Sequence, residues 1–282
     1  MRQHRTGILM KQSIVFVMTG TIKVLVIALL TLLCMELVFR AVDPWGVASY
    51  AQDGFTLRQH YVSDPERRYI LTDGPIALKT WTATIINGTR RVPDSASTGC
   101  RIAFVGDSVT FGLGVEDRET FVNLVSRQYP EIVFVNTGIS GYNVADVARV
   151  VDAVPAQGYV YLLSNNDGDA PFTPSETGEL QTVLLGYLQF VLKRFDQPVV
   201  SASESPDWIV SSLNALNRAD VFIVGYPNPF TDYASALVPV TIIPSYTETI
   251  STADGHPNTT GHQELADSLT PLIASLVGKV CG

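Results

Sequence analysis

The stretch Arg101–Gly114, RIAFVGDSVTFGLG, decides the fold. Ile102–Val105 is a short apolar run that stops at Gly106. A run of this length bounded by glycine suits a buried central strand of a parallel sheet. Gly106-Asp107-Ser108 is then the turn leaving that strand, which places Ser108 at the carboxyl edge of the sheet. In open α/β sheets that edge is where ligands bind. Two readings of Ser108 follow: a nucleophile presented at the edge, or a residue that with Asp107 turns the chain and caps the next helix.

Working outward, strand-like and helix-like patterns alternate from Cys100 onward. Ile132–Val135, Tyr159–Leu163 and Val221–Val224 read as strands, and Val240–Ile243 as a weaker one. Glu119–Gln128, Val144–Val154, Trp208–Leu216 and Asn258–Val277 read as helices, with Gly278 just past the end of the last. Glu179–Phe195 also carries leucines and aromatics at helical spacing. Such alternation implies parallel strands joined by crossover helices. The predicted fold class is α/β: one three-layer α/β/α domain over residues 99–282, built on a parallel five-stranded sheet.

The segment before it, residues 40–98, is rich in Pro, Gly, Asp and Ser, with β-like runs at Tyr69–Leu71 and Thr80–Ile86. It reads as a β-rich lead-in of hairpins and a tether. Its aromatics Trp45, Tyr50, Phe55, Tyr61, Tyr69 and Trp81 either pack this layer on the main domain or line the rim of a binding site.

The 282 residues are 46% hydrophobic, ample for a core, and the net charge of −8 argues against a nucleic-acid partner. The N-terminus is the greasy exception. From Ile14 to Met35 the only charge is Lys23, and the run is long enough for a helix to cross a bilayer. Arg2, Arg5 and Lys11 precede it, which favours an N-terminus on the cytoplasmic side. The expectation is a cytoplasmic tail at 1–12, a transmembrane helix at 13–39 and the remainder exported, in the periplasm or outside the cell. A cleaved signal peptide is the rival, against which stand the length of the apolar run and the lack of an Ala-x-Ala site. Cys34 follows Leu32-Leu33 and not small residues, so it does not read as a lipid-attachment site. Export permits a disulfide. If the last helix returns from the active edge to the opposite edge of the sheet, Cys281 approaches Cys100; the alternative is two unpaired thiols.

Four short blocks fall at the carboxyl ends of the predicted strands or just before the last helix. They are Gly106-Asp107-Ser108-Val109-Thr110-Phe111-Gly112, Asn136-Thr137-Gly138-Ile139-Ser140-Gly141, Ser164-Asn165-Asn166-Asp167 and Asp254-Gly255-His256-Pro257-Asn258. A neutral serine hydroxyl needs an adjacent base, and His256 is the one histidine placed in such a block. His4 lies in the tail, His60 in the lead-in, and His262 in the last helix, where it reads as structural.

In order and spacing these blocks resemble the SGNH, or GDSL, hydrolase superfamily, over the chain from Cys100 to the end. More loosely, Asn87-Gly88-Thr89-Arg90 resembles a segment that precedes the serine block in membrane-anchored bacterial members. The resemblance implies a flavodoxin-like domain and a serine esterase, with catalytic residues Ser108, His256 and Asp254 and an oxyanion hole from the Ser108 N–H, the Gly138 N–H and the Asn166 amide. Asn165 is the fallback for Asn166. It further implies a small acyl ester or acylated glycan as substrate. An acyltransferase to glycan and a non-catalytic glycan-binding protein are the rival readings of the same blocks. Three departures stand out: one residue, not two, separates Asp254 from His256, which calls for either the flexible Gly255 to let Asp254 reach or a backbone carbonyl in its place; Ser164 stands where many members have glycine; and Asn165-Asn166-Asp167 is crowded. No Cys/His cluster calls for a metal, and Gly106–Gly114 lacks the Lys-Ser/Thr end of a phosphate loop, so no cofactor is expected.

Overall fold

The computed structural model describes residues 2–170, 183–193 and 207–282, with side chains from residue 21 onward except those of 184, 189, 190 and 193. The flanks of the helix expected at 179–195 lie outside the described residues.

A long helix α1, Arg2–Val42, opens the chain, and its part Thr21–Val42 is apolar enough to cross a membrane. Helix α2, Val47–Arg58, follows. The lead-in then forms β1 (Tyr61–Asp64), β2 (Arg68–Leu71), β3 (Gly74–Ala77), β4 (Thr82–Ile86) and β5 (Thr89–Arg90). The α/β part runs β6 (Arg101–Val105), α3 (Ser108–Phe111), α4 (Phe121–Ser126), β7 (Val133–Asn136), α5 (Val144–Ala153) and β8 (Gly158–Leu163). It continues with α6 (Val183–Lys193), α7 (Asp207–Leu216), β9 (Val221–Gly225), α8 (Pro229–Ser235), β10 (Thr241–Ile242) and α9 (Thr259–Val280).

Five strands are parallel, in the spatial order β7-β6-β8-β9-β10. Counted along the chain this is 2-1-3-4-5, the flavodoxin-like order, whose switch point lies between the first and third parallel strands, here β6 and β8. Strand β6 feeds both faces by its alternation. Ala103 and Val105 pack on the side of α5, α7 and α8, and Ile102 and Phe104 on the side of α4 and α9. The three-layer expectation is met because the central strands bury apolar side chains in a separate cluster on each face.

The lead-in differs from its expectation. The tether contains a helix, α2, and β3, β4 and β5 are not a separate layer: they extend the main sheet antiparallel beyond β7. Asn87 and Gly88 make the two-residue β4–β5 turn, both with positive φ, 53° and 69°. Such Asn-Gly turns match the twist of the strands they join. Trp81 and Tyr69 are buried, so for them packing is the outcome, while Trp45 and Tyr50 remain exposed. The helix expected at 119–128 is a 3₁₀ turn, Asp117–Glu119, and then α4, because Thr120 is extended and caps the second piece. The last helix runs through Gly278 to Val280, one turn further than expected. There Cys281 meets Cys100, joined by a disulfide with Cα atoms 5.7 Å apart.

Candidate active site

Ser108 is the first residue of α3, at the carboxyl end of β6 and beside the switch point. Asp107 caps that helix, its carboxylate accepting the Val109 N–H at 2.9 Å. The capping role read from the sequence therefore falls to Asp107, whose second carboxylate oxygen lies 3.3 Å from the Ser108 hydroxyl. Across the site, His256 Nε2 stands 2.7 Å from Ser108 Oγ, and His256 Nδ1 stands 2.5 Å from Asp254 Oδ1. With Nδ1–H donated to the carboxylate, Nε2 carries the lone pair that can receive the serine proton.

The short Asp254–His256 spacing works through a turn. The Asp254 carboxylate accepts the His256 backbone N–H at 3.1 Å as well as the ring, folding back over the residue two along. Ser251 Oγ accepts the Asp254 N–H at 3.0 Å, and the Ile250 N–H donates to the His256 carbonyl at 2.9 Å. Gly255 is not what lets Asp254 reach, since a Cβ there would meet nothing within 4 Å and its φ is not positive. Asp254 and His256 side chains are 7% and 16% exposed, buried enough to strengthen their hydrogen bond and open enough to meet a substrate.

The residues expected as oxyanion donors fall in three settings. The Ser108 N–H lies in the first turn of α3, where no helical carbonyl can accept it. Asn166, like its fallback Asn165, is exposed in the turn after β8, and among the described residues its side chain makes no hydrogen bond. Gly138 is different: its N–H is donated to Asn136 Oδ1 at 3.1 Å. Its lack of a side chain serves α3, because a Cβ would lie 2.4 Å from the Phe111 nitrogen. The backbone that approaches Gly138 is thus that of the serine helix itself.

Behind the serine lies a polar layer that the sequence reading did not foresee. Ser164, at the position where glycine is common, donates its hydroxyl to Asp107 Oδ1 at 3.0 Å, tying β8 to the serine turn. The Asp167 carboxylate accepts the Ser164 N–H and the Tyr161 hydroxyl, at 2.8 and 2.9 Å. Burial, and then the nearby Asp107, push the Asp167 carboxyl well above its usual range. Asn136 Nδ2 donates to the Thr110 carbonyl at 2.8 Å.

Arg90 was also missed. Its side chain is fully buried, donating to Asp117 at 3.1 Å and to the carbonyls of Phe111, Gly112 and Val115. It thereby clamps the C-terminal end of the helix whose other end carries Ser108. The signal was present in Asn87-Gly88, a hairpin turn that fixes the register of Arg90. His262 is structural as read: its Nδ1 accepts the Phe121 N–H at 3.2 Å, and burial lowers its pKa to about 3. Among the described residues no group of His, Cys, Asp or Glu side chains gathers to hold a metal ion.

A hydrogen-bonded line of serine, histidine and carboxylate is the arrangement by which serine hydrolases activate their nucleophile. No family model matches the chain, and no curated protein does. Among solved structures it is similar to a lipolytic protein of the G-D-S-L family from Veillonella parvula, at 13% identity and a TM-score of 0.40, over 62% of this chain and 99% of that one. It is similar to a carbohydrate acetylesterase family member from Sinorhizobium meliloti, at 15% identity and a TM-score of 0.39, over 64% and 99%. It is likewise similar to an inhibitor-bound aryl esterase of M. smegmatis, at 17% identity and a TM-score of 0.39, over 63% and 100%.

Proposed function

We propose that this chain is a membrane-anchored serine esterase that hydrolyses small acyl esters, acetyl among them, on an outward-facing glycan or related alcohol. The observation that carries the proposal is the continuous line Ser108 Oγ–His256 Nε2–His256 Nδ1–Asp254 Oδ1, at 2.7 and 2.5 Å.

In this reading Ser108 Oγ attacks the ester carbonyl while His256 Nε2 takes its proton. Asp254 holds the ring in the correct tautomer and stabilises the imidazolium that forms. The negative charge that develops on the carbonyl oxygen falls to the Ser108 N–H and the Asn166 amide. The Gly138 N–H joins them by sharing between Asn136 and the oxyanion. His256 then protonates the leaving alcohol. His256 Nε2 then deprotonates a water that attacks the acyl-serine, and it passes that proton to Ser108 Oγ as the acid departs.

The exposed apolar segment Thr21–Val42 supports the anchor. The Cys100–Cys281 disulfide supports an oxidising compartment for the domain, outside the cytoplasm.

The test is hydrolysis of p-nitrophenyl acetate by the full-length protein. Ser108→Ala should abolish turnover and labelling by a fluorophosphonate, and Asn166→Ala should lower kcat by about 10²–10³-fold. Undiminished turnover by Ser108→Ala would refute the assignment.

A further inference from the structure

The loop carrying the histidine is seated on the link between the apolar helix and the globular part. Helix α1 ends at Val42, and Asp43 turns the chain by accepting the N–H groups of Ala48 and Ser49 at 2.9 and 2.8 Å. Within that link the Trp45 carbonyl accepts the Ala253 N–H at 2.9 Å, and the Gly46 backbone packs against Ser251. Ser251 and Ala253 belong to the same turn as Asp254 and His256. Tyr50, on the first turns of α2, stacks its ring over the His256 ring at 6.1 Å and is 46% exposed.

Three residues of chain span at most about 10 Å, so the turn of Asp254 and His256 is anchored within about that distance of the end of the apolar helix. The polar layer on one side of a bilayer is about 5–8 Å thick. An aromatic such as Tyr50 beside such an end suits the headgroup level.

Helix α6 lies against the same end of α1. The Val183 N–H donates to Glu36 at 2.9 Å, the Tyr187 hydroxyl to Asp43 at 2.9 Å, and the Tyr187 ring stacks on Phe39 at 4.5 Å. While Val183 and Tyr187 pack inward, Leu188, Val191 and Leu192 stand 54%, 39% and 58% exposed on one stripe of the helix. An apolar stripe costs free energy in water and none in the acyl boundary of a bilayer. Alongside it, the candidate span Thr21–Val42 of α1 is exposed apart from the half-buried Glu36 and Phe39.

We propose that α6 docks its Leu188–Leu192 stripe in the bilayer interface and that the site therefore acts at the membrane surface, on an acyl ester carried by a membrane-embedded amphiphile. The substrate class is a lipid-linked molecule whose ester lies at headgroup level. This deepens the esterase reading and rests on it and on the anchor.

The experiment uses the full-length protein reconstituted in phosphatidylcholine–phosphatidylglycerol vesicles. Two acetyl esters of one sugar are compared, one attached through a short linker to a diacyl lipid in the same vesicles and one free in solution, with p-nitrophenyl acetate as the common control. Confinement of enzyme and ester to one surface should raise kcat/KM for the lipid-linked ester by about tenfold or more over the free one. The double variant Leu188→Glu/Leu192→Glu should reduce that advantage severalfold while leaving p-nitrophenyl acetate turnover unchanged. Equal rates on both sugar esters, or an advantage untouched by the double variant, would overturn the proposal and favour a soluble glycan substrate. Loss of p-nitrophenyl acetate turnover in the parent protein would instead overturn the esterase reading beneath it.

Discussion

Replacing Arg90 by methionine should unhinge the serine helix without touching the serine. Helix α3 is four residues long, too short to persist by its own hydrogen bonds, so its two ends must be held from outside. Asp107 holds the first and Arg90 the second. The guanidinium donates to the carbonyls of Phe111, Gly112 and Val115, pairs with Asp117 at 3.1 Å, and lies 4.9 Å from the Phe111 ring and 5.2 Å from the Trp81 ring. Burial lowers its pKa to about 10, so it remains a cation at neutral pH. Methionine fills the space and keeps contact with the rings, but it leaves Asp117 without its counter-charge and strips three carbonyls of a donor. Removing one member of a buried ion pair costs about 3–5 kcal/mol, and that is the stability loss expected here. Ser108 sits at the other end of the freed helix, where a displacement of about 1 Å costs about 10²-fold in rate. Arg90→Lys restores the charge at one nitrogen where three serve in the native protein, so it should recover less than half of the stability. Urea unfolding in detergent, read beside kcat for p-nitrophenyl acetate, measures both quantities on the same samples. A loss under about 1 kcal/mol for Arg90→Met, or full recovery by Arg90→Lys, would show that the clamp does not support the site.

Asp254→Asn should keep the fold and lower kcat by about 10³–10⁴-fold, since an amide favours the wrong tautomer of His256; Gly255→Ala, in open space, should leave kcat unchanged. Reduction of Cys100–Cys281, or its replacement by serines, should lower stability by about 5 kcal/mol on a chain-entropy basis, given the sequence separation of 181, as read by the urea midpoint with and without reductant. His262 is held neutral in the fold down to about pH 3, whereas the unfolded chain binds its proton near pH 6.5. Its contribution is therefore complete above pH 6.5 and is lost as pH falls below it, with a slope of up to about 1.4 kcal/mol per pH unit. Stability profiles between pH 6.5 and 5 should be shallower for His262→Asn than for the parent, and identical slopes would contradict the burial of a neutral imidazole.

Some of this protein was legible without its structure. Strand β6, the alternation after it and the four blocks are local patterns: a few residues of one periodicity, bounded by glycine, in a fixed order along the chain. The pairing of Cys100 with Cys281 was open in the sequence, and it closes because α9 runs the full depth of the sheet. What was not legible depends on partners far apart in sequence. Nothing local says that β4 and β5 add to the sheet beside β7, so the reach of Arg90 to Phe111 and Val115 was hidden. The turn that brings Asp254 back to His256 needed the hydrogen bond from the His256 N–H, which spacing alone does not reveal. The donation of the Gly138 N–H to Asn136, and the Ser164 hydroxyl that ties Asp107, likewise appear only when strands lie side by side. Short-range periodicity and turn chemistry decide which residues become strands, helices and edge turns, because those preferences are set by neighbours in the chain. Only the tertiary structure decided that the histidine turn rests on the link to the apolar helix, because hydrogen bonds such as Ala253 to Trp45 join segments that the sequence holds about two hundred residues apart.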